Sequence, residues 1–182
     1  YPSLGAPWAP SWDLLIPAKE GMKLADHHGK SALTQKFPEM RAASIAEALA
    51  MTHAVYYAAL RLLQEEYGYQ PLVADEGGLA PRLASNEAML ELAVRAIERA
   101  GLRPGEQVGL AIDVAASHFH SGGRYRLAVE GTALTATALI ERLADWRARY
   151  PLLSIEDGLA EDDWAHWTRL TETLGSRCQV LG

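Results

Sequence analysis

Cysteine is almost missing from this chain. Cys178 is the only one among 182 residues, so no disulfide can form within the chain, and a reducing compartment such as the cytoplasm is the expectation. Basic residues are in the minority: 17 Lys and Arg face 23 Asp and Glu, for a net charge of −6. That balance argues against nucleic acid as the main partner, because holding phosphates needs a basic surface. No uninterrupted apolar run approaches the about 20 residues that a membrane-spanning helix needs. No basic-then-apolar leader opens the sequence either. The expectation is therefore a cytoplasmic protein with no membrane partner. Because the first residue is Tyr1 rather than Met, the chain reads as a fragment. What remains is ordinary for a folded domain: 49% of the residues are hydrophobic, enough for one core.

Punctuation residues divide the chain. Pro2, Gly5, Pro7 and Pro10 make the opening irregular. Leu14-Leu15-Ile16 could form a short strand ending at Pro17, and the stretch to Met40 has little pattern. Ser44 to Tyr67 reads as a helix. Ser44 and Glu47 have capping-box spacing, while Ile45, Leu49, Val55, Leu60 and Leu63 recur near helical period, and Gly68 supplies a stop. Asn86 to Ala100 is a second helix, capped near Ser85 or Asn86 and ended by Gly101. Val108 to Ala115 reads as a buried strand, and Gly122-Gly123 as a hairpin turn between His120 and Tyr125. A helix over Thr137–Tyr150, a strand over Leu152–Glu156, a helix over Glu161–Leu174 and a strand beginning at Cys178 complete the pattern. Trp164 and Trp167 are expected in the core of that last helix. Strand, helix, strand, helix, strand implies an α/β fold with parallel strands and right-handed crossovers.

Two of those strands end on carboxylates, Asp113 and Glu156. In α/β folds ligands gather at the carboxyl ends of parallel strands. Acids there, without histidine or cysteine beside them, suit a hard cation such as Mg²⁺. They could equally serve only to cap the helices that follow. Glu76 is a third candidate, since Gly77-Gly78 allows close backbone approach to a ligand, although a plain surface turn has the same composition. His27 and His28 lack a matching ligand spacing and read as solvated.

Three segments carry a resemblance. Val73-Ala74-Asp75-Glu76-Gly77-Gly78-Leu79-Ala80-Pro81 resembles the V-G-D-E-G-G-x-A-P segment of the enolases, the phosphopyruvate hydratases of glycolysis. Leu110 to Ser117 and Ser154 to Trp164 are similar to two further segments of that family, in the same order and at fitting separations. The likeness is strong over 44–182, and residues 1–43 are divergent. It implies one incomplete domain over 1–182: a partial TIM-type (β/α) barrel, with about five of the eight strands of the complete fold. It also implies a Mg²⁺-dependent lyase that converts 2-phosphoglycerate to phosphoenolpyruvate and works as a homodimer when complete. By residue match Asp113 and Glu156 would be Mg²⁺ ligands, with Glu156 also at the substrate. Glu76 would be the acid assisting hydroxide departure, and His27 a substrate-binding loop histidine.

The match has two departures. Aligning Pro17 with the family's pre-strand proline sets Lys36 where the family has a glutamate, and Leu24-Ala25-Asp26 where it has a glycine-rich loop. A lysine near Glu76 would favour the ionised carboxylate and so oppose proton donation. The family's third Mg²⁺ ligand and its lysine base are expected beyond Gly182. The chain by itself is accordingly expected to be inactive and, with strand edges unpaired, prone to associate. A divergent, non-catalytic paralogue used for binding or structure is the alternative reading.

Overall fold

Ser44 opens the first helix in the manner its spacing predicts. In the computed structural model, which describes residues 44–70, 74 and 77–182, its side chain accepts a hydrogen bond from Glu47 N–H at 3.1 Å. Helix α1 (Ile45–Tyr67) then runs to Gly68, which takes the left-handed conformation with φ +60°. Helix α2 (Glu87–Arg99) packs against it. Ser85 rather than Asn86 caps α2: Ser85 Oγ accepts from Ala88 N–H at 3.1 Å, and Asn86 makes no side-chain cap. The helical period of α1 gives its buried stripe as Ala48, Val55, Ala58, Leu62 and Leu63. Ile45 and Leu49, expected on that stripe, are 63% and 64% exposed. Length explains the difference. α1 has 23 residues and α2 only 13, so the first turns of α1 project beyond their neighbour among the described residues.

Strand β1 (Leu110–Asp113) is shorter than the apolar run suggests. Val108 sits instead in an isolated bridge with Pro104. Between them Gly109 lies so close to Leu153 that a Cβ there would overlap Cδ1 and Cγ of that side chain. A 3-10 turn (Ala116–Phe119) leads from β1 into an antiparallel sheet of β2 (His120–Ser121), β3 (Arg124–Leu127) and β4 (Thr132–Leu134). The Gly122-Gly123 turn pairs His120 with Tyr125 and Ser121 with Arg124, as expected. The third strand, β4, carried no clear signal of its own.

Helix α3 (Ala136–Arg149) is capped by Thr135, whose Oγ1 accepts from Ala138 N–H at 3.1 Å. β5 (Leu152–Glu156) follows with its predicted bounds. Helix α4 begins only at Trp164 and runs to Leu174, and β6 spans Gln179–Leu181. The parallel sheet has the order β1-β5-β6. Its three strands follow chain order, with the antiparallel sheet inserted between β1 and β5, and α3 packs on α4. The result is an arc of a (β/α) barrel, the predicted architecture. Three parallel strands are present among the described residues. The two earlier apolar runs, Leu14–Ile16 and residues 72–73, lie outside them. In β5 Leu152, Leu153, Ser154 and Ile155 are all buried and only Glu156 is exposed, the pattern of a strand covered on both faces.

The start of α4 corrects a further expectation. Its residues 161–163 form a turn, with Asp163 N–H bonded to the Ala160 carbonyl at 3.0 Å. Trp164 is then the first helical residue and stands 78% exposed. Trp167 packs against the core with Leu170 and Leu174, one helical stripe, and its Nε1–H donates to the Ala160 carbonyl at 2.9 Å.

The start of α2 and the end of α3 are tied through Glu87. Its carboxylate pairs with Arg149 and accepts from the Tyr150 hydroxyl at 2.8 Å and from Trp146 Nε1 at 3.4 Å. These donors, Arg149 first, hold Glu87 down at about 2, against an ordinary value of 4.5. The stabilisation is complete above pH 4.5 and is lost as pH falls toward 2. Glu87 is 31% and Arg149 45% exposed, so solvent screening keeps the contribution small. In acid titrations of stability, Arg149→Gln is expected to flatten the loss between pH 5 and 2 (about that window). An unchanged acid limb would show that this pair contributes nothing.

Candidate functional site at the carboxyl rim

Asp113 and Glu156 end adjacent parallel strands and are direct partners in the register. Such partners stand about 4.8 Å apart in the hydrogen-bonding direction, and their side chains project to the same face. Which face follows from Ile155. Its Cγ2 converges with Leu143 Cδ1 of α3 and Leu170 Cδ2 of α4 around Gly158, so Ile155 points toward the helices. Alternation then turns Glu156, and with it Asp113, to the face away from the helices. On the next strand Leu181 is the partner of Glu156.

The backbone behind both acids is unusual. Ala115 and Asp157 are the only non-glycine residues with positive φ among those described, at +44° and +46°. Each follows a strand-end acid within two residues. Asp113 Oδ1 accepts from Ala115 N–H at 2.9 Å, which fixes one carboxylate oxygen and turns the chain out of the strand.

A second cluster, which sequence reasoning missed, supports the loop after Glu156. Tyr125 is fully buried. Its hydroxyl donates to Asp163 Oδ2 at 2.8 Å and accepts from Ala160 N–H at 3.0 Å. Asp163 Oδ1 lies 2.6 Å from His166 Nδ1, and the His120 ring stacks on Tyr125 at 4.6 Å. Burial raises the Tyr125 hydroxyl well above its ordinary range, and the Asp163 carboxylate adds to that rise. For Asp163 burial works against ionisation, but His166 and Tyr125 as hydrogen-bond donors outweigh it and hold the carboxyl below its ordinary value. The one sequence signal for this cluster was a lone aromatic between arginines, Arg124-Tyr125-Arg126.

The donor chemistry of Asp113 and Glu156, two hard oxygen ligands on one face, fits Mg²⁺. Among the described residues no group of three His, Cys, Asp or Glu side chains is placed to hold a metal. Glu76, His27 and Lys36 lie outside the described residues. The backbone flanking Glu76 is described: Gly77 N–H bonds to the Ala74 carbonyl and Ala74 N–H to the Gly78 carbonyl, both at 2.8 Å. No helix among the described residues is long and apolar enough to cross a membrane.

Comparison with known proteins agrees with this geometry. The family model for the enolase C-terminal TIM barrel domain matches residues 14–182. The enolase of Natranaerobius thermophilus is 41% identical over 171 residues, which cover 93% of this chain and 40% of that relative. The chain thus spans about 40% of the length of the curated relative it matches. With acids registered on a parallel rim, a barrel arc behind them and a family match across nearly its whole length, this chain belongs to the enolase family, within its C-terminal barrel domain.

Proposed function

We propose that the protein carrying this chain is a Mg²⁺-dependent lyase that dehydrates 2-phosphoglycerate to phosphoenolpyruvate. The observation that carries the reading is the Asp113–Glu156 register on the carboxyl rim, together with family membership. A proton next to a carboxylate is very weakly acidic, and Mg²⁺, when bound, offsets the charge that develops there as the proton leaves. Asp113 and Glu156 would hold the cation, with Glu156 also facing substrate. Glu76 would give a proton to the departing hydroxyl, which requires it to be protonated near neutral pH. His27 would bind substrate.

Lys36 favours a second reading, a non-catalytic member of the family, because an ammonium beside Glu76 would keep that acid ionised. One assay separates the two. The protein carrying this chain is expected to form phosphoenolpyruvate from 2-phosphoglycerate only when Mg²⁺ is present, and Lys36→Glu is expected to raise the rate. Background turnover by both forms would leave the non-catalytic reading in its place.

A further inference from the structure

The loops after β1 and β5 are joined by more than the sheet. Val114 N–H donates to the Glu156 carbonyl at 2.9 Å and Ala116 N–H to the Asp157 carbonyl at 3.0 Å, so the ladder continues past both strand ends. Asp157 N–H in turn donates to the Leu181 carbonyl at 3.0 Å. The left-handed residues Ala115 and Asp157 sit within this ladder, and such conformations persist only where the surroundings hold them. Where the ladder ends a side chain takes over: Ser117 Oγ accepts from Glu161 N–H at 2.9 Å. Ser117 is exposed, on the 3-10 turn, and packs in no core. Its hydroxyl bonds one loop to the other at the point where the backbone bonds stop.

We infer that Ser117 is a positioning residue for the carboxylate pair. By holding Glu161 N–H it fixes the β5 loop against the β1 loop, and with it the spacing of Asp113 and Glu156. Mg²⁺ and its close analogues demand narrow coordination geometry, so a small relaxation of that spacing weakens binding more than it weakens the fold. The inference rests on the metal reading given above.

The test uses Mn²⁺ alone as probe, titrated into the ¹⁵N-labelled full chain, with paramagnetic broadening of backbone amides as readout. Wild type is expected to lose signal first around residues 113–115 and 156–158. The double variant Asp113→Asn, Glu156→Gln is expected to abolish that pattern. Ser117→Ala is expected to weaken Mn²⁺ affinity about tenfold, the range for partners that orient metal ligands. Its melting temperature without metal is expected to stay within about 2 °C of wild type. Ser117→Thr, which keeps the hydroxyl, is expected to restore affinity. Wild-type affinity in Ser117→Ala would overturn the positioning role and leave the metal reading standing. A matching fall in melting temperature, or no rescue by threonine, would also overturn it, as general loosening. Absence of broadening at either acid in wild type would overturn both readings together.

Discussion

Tyr125→Phe is expected to destabilise the full chain by about 2–3 kcal/mol, more than an ordinary hydrogen-bond deletion. The ring would stay in place, so little packing is lost. The hydroxyl, however, serves two partners at once, one buried (Ala160) and one half-buried (Asp163). Its removal leaves Ala160 N–H without its acceptor and Asp163 Oδ2 without its donor, the first fully and the second largely withdrawn from water. The cost is therefore that of two stranded polar groups rather than one bond. Urea unfolding should show a lower midpoint with an unchanged slope. A shift worth less than about 0.5 kcal/mol would mean that the loop relaxes to let water in. His166 remains to pair with Asp163, which keeps the expected loss short of that for a buried charge left alone.

The second large effect concerns activity. In the protein carrying this chain, Asp113→Asn is expected to lower the proposed turnover of 2-phosphoglycerate more than about 100-fold, since losing even an outer-shell partner costs 10 to 100-fold. The substitution keeps size and one oxygen but removes the negative charge that a hard cation seeks. Its Ala115 N–H bond to Oδ1 can survive, so the fold should be affected little. The diagnostic is partial recovery at high Mg²⁺, with the concentration needed for half-maximal rate shifted upward. Full activity at ordinary Mg²⁺ would remove Asp113 from the metal site. An equal loss that no Mg²⁺ concentration relieves would point to a structural role at the turn instead.

What could be read from the residues depended on how locally each feature is specified. Ser44 and Gly68 bound α1 because caps act within one turn, and Leu152–Glu156 was delimited by Pro151 on one side and a polar turn on the other. The carboxylate pair was legible for a different reason. Once two strands are parallel neighbours, their last residues share a rim, and the register confirms that placement. The start of α4 was not legible. Glu161, Asp162 and Asp163 look like an acidic first turn, yet residue 160 is held by Tyr125 from the hairpin and residue 161 by Ser117 from the turn after β1. Those bonds span 35 and 44 residues of sequence, beyond the reach of any local signal. Trp164 was misplaced for the same reason, since the delayed helix start moves it off the packed stripe. On α1, Ile45 and Leu49 obey the helical period and are exposed all the same, because period describes a face and not how far the neighbouring helix extends.

The antiparallel hairpin sheet has a consequence in time as well as in space. β1 and β5 cannot pair until the chain between them has been brought back on itself, and the entropy of that closure grows with the length of free chain. β2 pairs with β3 and β3 with β4, contacts of short range and so of the kind that close quickly. Once ordered, they take up much of the stretch between Asp113 and α3, and they carry Tyr125 already aimed at the loop it will hold. Folding the hairpin first shortens the loop that remains to be closed. It thereby hastens the moment when the two acids face each other across the rim.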